Sequence, residues 1–256
     1  MAYHFRIGDI SHFFDIPAST LRYWEDMGVL TPKKDQINNY REYSVENLMG
    51  ISDVIFYKNL GLPLKNIRQM ENTTPEQQYH LFEKKMSELQ QQQIALQRRM
   101  ERLRCHMQAI QTLKELRDNP YQDTDIDTDC IVSFELIERD KLRRYIENPY
   151  LYSRVQRSEN MQLEQRGITI VKSDLSAELL KEQIIWEKKN NNRYITFLMK
   201  EEITEGFPNN LIRQLQLIQQ KYRTGAVISR FLVCAREEGK IYDFYKTFVE
   251  TFVEII

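Results

Sequence analysis

The stretch STLRYWEDMGVL, Ser19 to Leu30, decides how the first part of this chain folds. It predicts a short amphipathic helix that carries an arginine, a tyrosine and a tryptophan side by side, with Leu21 as its inward residue. Adjacent residues of a helix point in different directions, so the two aromatic side chains cannot both face the core. At least one of them therefore faces outward, where it can contact a partner.

The residues before and after this stretch indicate a helix-turn-helix. Apolar residues at helical spacing predict a first helix that ends before Pro17. The second helix is expected from about Ala18 to Met27, because proline suits the start of a helix and Gly28 can close it in a left-handed conformation. Two short helices joined by a tight turn form this motif.

The following segment, VLTPKKDQINNYREYS, predicts a β-wing of two short extended pieces. The polar turn at Gln36–Asn39 joins them, since asparagine tolerates left-handed backbone angles. Ser44 is expected to cap a third helix that runs through Leu60. A break at Gly61-Leu62-Pro63 then leads into a fourth helix through Met70.

The middle of the chain, from Pro75 to about Arg117, predicts one long helix without internal glycine or proline. At about 1.5 Å per residue it would be roughly 60 Å long. Apolar residues recur in steps of four and three, which is typical of a coiled coil and favours pairing with a second subunit; the predicted seam is Phe82, Met86, Leu89, Leu96, Met100, Leu103, Met107 and Ile110. Gln93 occupies a seam position, where it either fixes the register or is tolerated near the periphery.

The first 70 residues resemble the DNA-binding domain of the MerR (mercury-resistance) type of transcription regulator. The resemblance rests on TLRYWEDMGVL, the Tyr-Arg of the wing and the GLPL turn, and the long helix matches the antiparallel dimerisation helix of that family. It implies that the second helix lies in the major groove and that the wing contacts the DNA backbone; the DNA-binding candidates are Thr20, Arg22, Tyr23, Tyr40, Arg41, Lys33 and Lys65.

Two features weigh against a simple electrostatic interpretation of this domain. Arg22 could instead pair with Asp26, four residues later, and Tyr23 could pack against the wing. Residues 1–74 carry eight Lys/Arg and nine Asp/Glu, so attraction to DNA must come from local clustering of charge. Tyr43 is expected to pack under the wing.

The last part, residues 118–256, mixes β-type runs with helical ones and predicts an α+β domain whose sheet packs helices on one face. At its end we expect a strand, a turn at Gly239 and then an aromatic-rich helix with no strand after it. Phe244, Phe248 and Phe252 have helical spacing and are expected in the core. No repeat of fixed period is evident.

In length this part resembles the gyrase-inhibitor-like effector domains of some MerR-type regulators. The resemblance implies a pocket of aromatic side chains with one acid, which attracts a lipophilic or cationic molecule through ring quadrupole and charge. The candidates are Tyr150, Tyr152, Trp186, Tyr194, Tyr245 and Glu250, with Glu135 or Glu201 as alternative acids.

Composition excludes several classes of function. The chain has 256 residues and a net charge of −1, and we expect no membrane span, no secretory leader and a cytoplasmic location. Cys105, Cys130 and Cys234 are too few and too widely separated for a disulfide framework or a zinc site, so we expect no metal or cofactor. All four histidines precede residue 118 and no serine-centred glycine elbow occurs, so no catalytic residue is assigned and the chain is not expected to be an enzyme.

The sequence thus predicts an α+β protein of three parts: a winged helix-turn-helix domain (1–74), a dimerisation coiled-coil helix (75–117) and an effector-binding domain (118–256). By resemblance it is a homodimeric regulator that binds a pseudo-palindromic promoter element, distorts it in response to a small effector and so acts on RNA polymerase. The alternative is that the last domain binds a protein partner or only braces the dimer.

Overall fold

The computed structural model describes residues 4–35, 40–135, 137–170, 184–189 and 192–254. The chain divides into two compact units, Met1–Leu96 and Gln97–Ile256, so the boundary falls inside the long helix. Within the described ranges, no helix combines the length and apolar character that a membrane crossing requires. The division expected at residues 74 and 117 stays a prediction.

The first unit contains short helices around a two-stranded antiparallel wing. Its elements are α1 (Ile7–Phe14), α2 (Ala18–Asp26), β1 (Lys33–Lys34), β2 (Arg41–Glu42), α3 (Val45–Asn59), α4 (Leu64–Gln69), a 3-10 turn (Met70–Asn72) and the first half of α5 (Pro75–Asp118). The core is one apolar cluster that includes Ile10, Leu21, Trp24, Tyr43 and Ile51, all buried.

The predicted boundaries of these helices are confirmed, and local chemistry accounts for them. Pro17 occupies the N-cap position of α2, and Gly28 follows the helix with a φ of +69°, where glycine avoids the strain of a side chain. Ser44 and Asn47 form a capping box at the start of α3. The predicted turn at Gln36–Asn39 lies outside the described residues.

Helix α5 is continuous from Pro75 to Asp118, as the sequence predicts. Its start is fixed by a capping box, because the Thr74 amide donates to Gln77 Oε1 at 2.9 Å and the Gln77 amide donates to Thr74 Oγ1 at 3.3 Å. In the first unit, the Phe82 ring stacks on Tyr57 with centroids 6.2 Å apart. This contact places the first seam residue against α3.

The second unit is an eight-stranded antiparallel sheet with helices. Its elements are the second half of α5, β3 (Gln122–Thr124), β4 (Cys130–Ser133), α6 (Arg139–Glu147), a 3-10 turn (Pro149–Leu151), β5 (Tyr152–Arg157), β6 (Asn160–Ile170), β7 (Ile184–Glu187), β8 (Arg193–Glu202), α7 (Leu211–Gln219), β9 (Tyr222–Glu237) and β10 (Lys240–Glu254). The strand order is β3-β8-β10-β9-β5-β6-β4-β7.

The sheet contains the same strand–helix–strand–strand unit twice. The first is β4-α6-β5-β6 and the second is β8-α7-β9-β10, and they meet where β5 pairs with β9. Helix α6 packs on Val132 and Ile168, while α7 packs on Met199 and Tyr245. Through Tyr152, which contacts both apolar clusters, these helices share one side of the sheet, called here the α6/α7 face.

The helices within residues 118–256, α6 and α7, pack on one face of the sheet as predicted, but the other face is covered by a helix that the prediction placed outside this domain. Phe244 points to the opposite side from its neighbour Tyr245, and it packs against Leu113 and Leu116 at the end of α5. This second side is called here the α5 face. The sequence assigned α5 wholly to dimerisation, although its last two turns also carry apolar residues that cover the sheet.

The predicted terminal helix is also wrong, because Lys240–Glu254 is a strand that forms a hairpin with β9 and also pairs with β8. A spacing of four fits the helical period and the strand period equally well, so Phe244, Phe248 and Phe252 gave an ambiguous signal. The β-branched and aromatic residues between them favour a strand. Phe244 and Phe248 are buried as expected, whereas Phe252 is 58% exposed.

Candidate functional site

Helix α2 buries one side and leaves the other free. Leu21 and Trp24 are buried in the core, so the outward aromatic residue is Tyr23, which is 54% exposed. Arg22 is exposed beside it, and Thr20 is half-buried. Within the described ranges no ion pair joins Arg22 to Asp26, and the exposure of Tyr23 argues against the alternative that it packs against the wing.

The wing carries the other predicted DNA-binding side chains. Lys33 lies exposed on β1, and Tyr40 is 71% exposed just before β2. Lys65, at the start of α4, is exposed as well. Arg41 differs from these residues, because its guanidinium is partly buried and already paired within the domain.

A partly buried carboxylate, Glu25, joins α2 to the wing, which the sequence analysis did not predict. Glu25 Oε2 accepts a hydrogen bond from Arg41 Nε at 2.5 Å, and Glu25 Oε1 accepts one from the Tyr43 hydroxyl at 2.5 Å. Burial and the hydrogen bond to Glu25 raise the pKa of Tyr43, so the phenol stays protonated as a donor. Tyr43 is fully buried, as predicted, and its backbone pairs with Phe5. Glu25 therefore sets the angle between α2 and the wing.

The predicted seam of α5 is exposed over most of its length. Phe82 is half-buried, whereas the other seam residues each expose between 37% and 69% of their surface: Met86, Leu89, Leu96, Met100, Leu103, Met107 and Ile110. Single exposed apolar residues are common on proteins, whereas here seven of them recur at heptad spacing along one helix.

The structure separates the six predicted effector-binding residues into three places. Tyr150 lies beside α5, and its hydroxyl is 2.5 Å from His106 Nδ1. Trp186 and Tyr194 pack in the core of the α5 face, and Glu250 there accepts hydrogen bonds from the Ala226 amide at 2.8 Å and from the Asn192 side chain. Tyr152 and Tyr245 belong to the α6/α7 face. A single cage of all six residues is therefore not formed.

On the α6/α7 face, an arginine of the protein itself fills an aromatic and acidic cage. The guanidinium carbon of Arg154 lies 5.3 Å from the centre of the Tyr245 ring. Its Nη1 is 2.8 Å from both carboxylate oxygens of Glu201, and its Nε is 2.7 Å from Glu164 Oε2. Glu201, one of the two alternative acids, is buried, and Asn209 also donates to it at 3.0 Å.

The electrostatics of this cage hold the arginine charge in place. Burial alone lowers the pKa of the Arg154 guanidinium, but the hydrogen bonds and charges of Glu201 and Glu164 outweigh it and raise the pKa. The aromatic face and the carboxylate that a cationic ligand would use are thus already engaged. Glu135, the other alternative acid, is exposed and lies in a different part of the unit.

Comparison with known proteins identifies the N-terminal part. Residues 5–74 match the family model for MerR HTH family regulatory proteins. The multidrug-efflux transporter 2 regulator of Bacillus subtilis is 29% identical over 102 residues, which are 37% of either chain. The transcriptional activator TipA of Streptomyces coelicolor is 24% identical over 104 residues, 38% of this chain and 41% of TipA.

Two further proteins are similar to part of the chain. The ZntR homolog of Haemophilus influenzae is 30% identical over 67 residues, 26% of this chain and 50% of that protein. A solved structure, HiNmlR, a MerR family regulator lacking the sensor domain and bound to promoter DNA, aligns with 24% identity and a TM-score of 0.34 over 45% of this chain and 96% of its own. The chain spans half or less of the length of the curated relatives that it matches.

Proposed function

We propose, from the premise that residues 5–74 are a MerR-type helix-turn-helix domain, that this chain regulates transcription by binding promoter DNA in the cytoplasm. The observation that carries the proposal is the outward face of α2, where Arg22 and Tyr23 are exposed next to a helix side that is fully buried. Arginine can donate two parallel hydrogen bonds to guanine or to a phosphate, and tyrosine can donate its hydroxyl to a phosphate.

The wing supports the same proposal by extending the contact surface. Lys33 and Tyr40 are exposed there, and Glu25 ties the wing to α2 through Arg41. Residues 1–74 have no excess of positive charge, so we expect binding to depend on the few exposed cations Arg22, Lys33 and Lys65. Binding should weaken as salt rises, with a slope set by the number of phosphates contacted.

The chain is proposed to act as a homodimer through α5. The apolar seam of this helix needs an occupant, and a second copy of the same helix offers a matching apolar row. A dimer presents two DNA-binding domains, which suits a pseudo-palindromic element. Effector binding would then shift the dimer between two states, one of which distorts the element so that RNA polymerase can use the promoter.

The second unit is proposed to bind a small effector without catalysing a reaction. The cavities that it offers beside α5 support this role, and the relatives named above are described as regulators rather than enzymes. The second candidate, a unit that binds a protein partner or only braces the dimer, is favoured by the contact of Ala109, Leu113 and Leu116 of α5 with the sheet.

A nuclease footprint on the DNA upstream of its own gene tests the regulator function. We expect a symmetric protected element, with enhanced cleavage at its centre when the duplex is distorted. At a fixed protein concentration, the degree of protection should fall as salt is raised, because salt lowers the affinity for DNA. Protection of only one half-site, or of no element at low salt, would contradict the proposal.

A further inference from the structure

A cavity of about 430 Å³ lies between the second half of α5 and strands β9 and β10, on the α5 face of the sheet. Its volume is typical of small-molecule sites. Helix α5 contributes Glu101, Arg104, Cys105 and Ala109, and the sheet contributes Arg230, Leu232, Lys246 and Phe248. A second hollow of about 600 Å³ shares the walls at Cys105 and Tyr150 and adds Arg98 and Arg102. The combined space can hold an elongated ligand.

The charges around the cavity leave one cation in excess. Arg104 Nη1 is 3.2 Å from Glu101 Oε2, and the Arg230 guanidinium forms an ion pair with Asp127. Lys246 is different: across the described residues, no carboxylate lies within 4 Å of its Nζ, which instead sits 4.8 Å from the centre of the Phe248 ring. The pKa of this lysine is lowered, chiefly by burial and in part by the charge of Arg230. The more distant charges of Asp127 and Glu115 oppose this shift.

The two pairs on the rim are easily opened. The Asp127 and Glu101 side chains are 74% and 66% exposed, and ion pairs in that position contribute little to stability. A ligand anion can therefore take the place of Asp127 beside Arg230 while it reaches Lys246. The floor of the cavity is apolar, since Ala109, Leu232 and Phe248 line it.

We propose that this cavity binds an amphipathic monoanion, a long-chain or aromatic carboxylate whose charged group lies between Lys246 and Arg230 and whose apolar part follows Leu232, Phe248 and the neighbouring hollow. The ligand class rests on the proposed function, because it is offered as the effector of the regulator. It also replaces the expected cationic class, whose cage on the α6/α7 face is filled by Arg154.

The test uses decanoate, with decyltrimethylammonium as a probe of equal chain length and opposite charge, both below their micelle concentrations. Isothermal titration calorimetry on the full chain should show decanoate binding, and Lys246→Met should raise its Kd by about tenfold or more through loss of a charge-assisted hydrogen bond. Lys246→Arg keeps the charge and should leave the Kd within about threefold.

Cys105 gives a second readout that needs no change at Lys246. In a Cys234→Ser background, Cys130 is buried and Cys105 is the thiol in the cavity wall that a maleimide can reach. Decanoate should slow its labelling and decyltrimethylammonium should not. Equal or better protection by the cation would overturn the proposal, as would wild-type affinity of Lys246→Met for decanoate.

The same preparation separates this proposal from the proposed function. If the wild-type chain takes up decanoate but binds no duplex, the regulator function fails and the anion site stands. If it protects a symmetric DNA element but shows neither decanoate binding nor protection of Cys105, the anion site fails and the regulator function stands.

Discussion

Arg22 is the side chain on which DNA recognition should depend most. It lies exposed on α2 while Leu21 beside it is buried, so its position is fixed by the core and its guanidinium is free to meet DNA. We expect Arg22→Ala to weaken binding to the protected duplex by about tenfold or more, because one good arginine contact contributes roughly 1–3 kcal/mol. Fluorescence anisotropy at fixed salt measures the change.

The control for this variant is Arg213→Ala, an exposed arginine on α7 in the other unit. It removes the same charge from the chain and should leave the affinity for the duplex unchanged. Equal losses for the two variants would mean that only net charge matters and that α2 does not read the DNA.

Glu25 fixes the position of the wing relative to α2, and it is not itself expected to contact DNA. Glu25→Gln replaces a carboxylate that accepts from Arg41 and Tyr43 by a group with one acceptor oxygen. We expect the free energy of unfolding to fall by about 1–3 kcal/mol, the cost of a buried charged hydrogen bond. Chemical denaturation followed by circular dichroism gives this value, and Asp26→Asn, on the exposed side of α2, should change it by less than about 0.5 kcal/mol.

The guanidinium of Arg154 occupies the aromatic and acidic cage on the α6/α7 face, so its removal should leave a site for a small cation. Arg154→Ala removes the only cation paired with Glu201 among the described residues and leaves Glu164 with Arg166 alone, so we expect a loss of about 3–5 kcal/mol in unfolding free energy. Millimolar methylguanidinium should restore part of the melting temperature of this variant by occupying the cage, and methylammonium should restore less because it lacks the planar fork. A shift of the same size in the wild-type chain would show that the salt acts elsewhere.

At the scale of elements, we expect the exposed apolar seam of α5 to pack against the same helix of a second chain. Leu103 is 64% exposed, so Leu103→Glu costs little within one chain but places a charge in the proposed interface. We expect this variant to sediment as a monomer, or to dimerise with a Kd raised by about tenfold or more. Gln91→Glu adds the same charge on the side of the helix away from the seam and should leave the association state unchanged. A wild-type chain that sediments as a monomer would refute the interface.

Two phenylalanines of β10 test whether this segment is a strand or a helix. Phe248 is 1% exposed and Phe252 is 58% exposed. Phe248→Ala should therefore cost about 3–5 kcal/mol of unfolding free energy, as is usual for a buried phenylalanine, whereas Phe252→Ala should cost about 0.5 kcal/mol or less. Similar losses at the two positions would favour a helix that buries both.

These elements show what the sequence can and cannot predict. Pro17, Gly28 and Ser44 act within a few residues of themselves, and the starts and ends of α2 and α3 followed from them. The seam of α5 is likewise inferred from spacing alone, and its pairing with a second helix stays a prediction. In β10 the spacing of four fits two structures. The β-branched and aromatic residues favour the strand, which is completed by pairing with β8, distant in sequence, and with β9, across a tight turn.

At the scale of the whole molecule, the least predictable features join residues far apart in the chain. The strand–helix–strand–strand units differ in length and spacing, so no fixed period exposes the duplication. The cage of Arg154 needs Glu164, Glu201 and Tyr245 from three other strands. Spacing along the chain gives no sign of such contacts, and the aromatic candidates chosen by residue type were accordingly divided among three places.

We propose that two copies of the chain, joined through α5, place two MerR-type domains on one duplex. The most direct measurement is the mass of the complex, by sedimentation, on a short duplex that carries one protected element. Two chains per duplex, over a range of protein concentrations, is the predicted result. One chain per duplex at saturation, or no complex at low ionic strength, would contradict the claim.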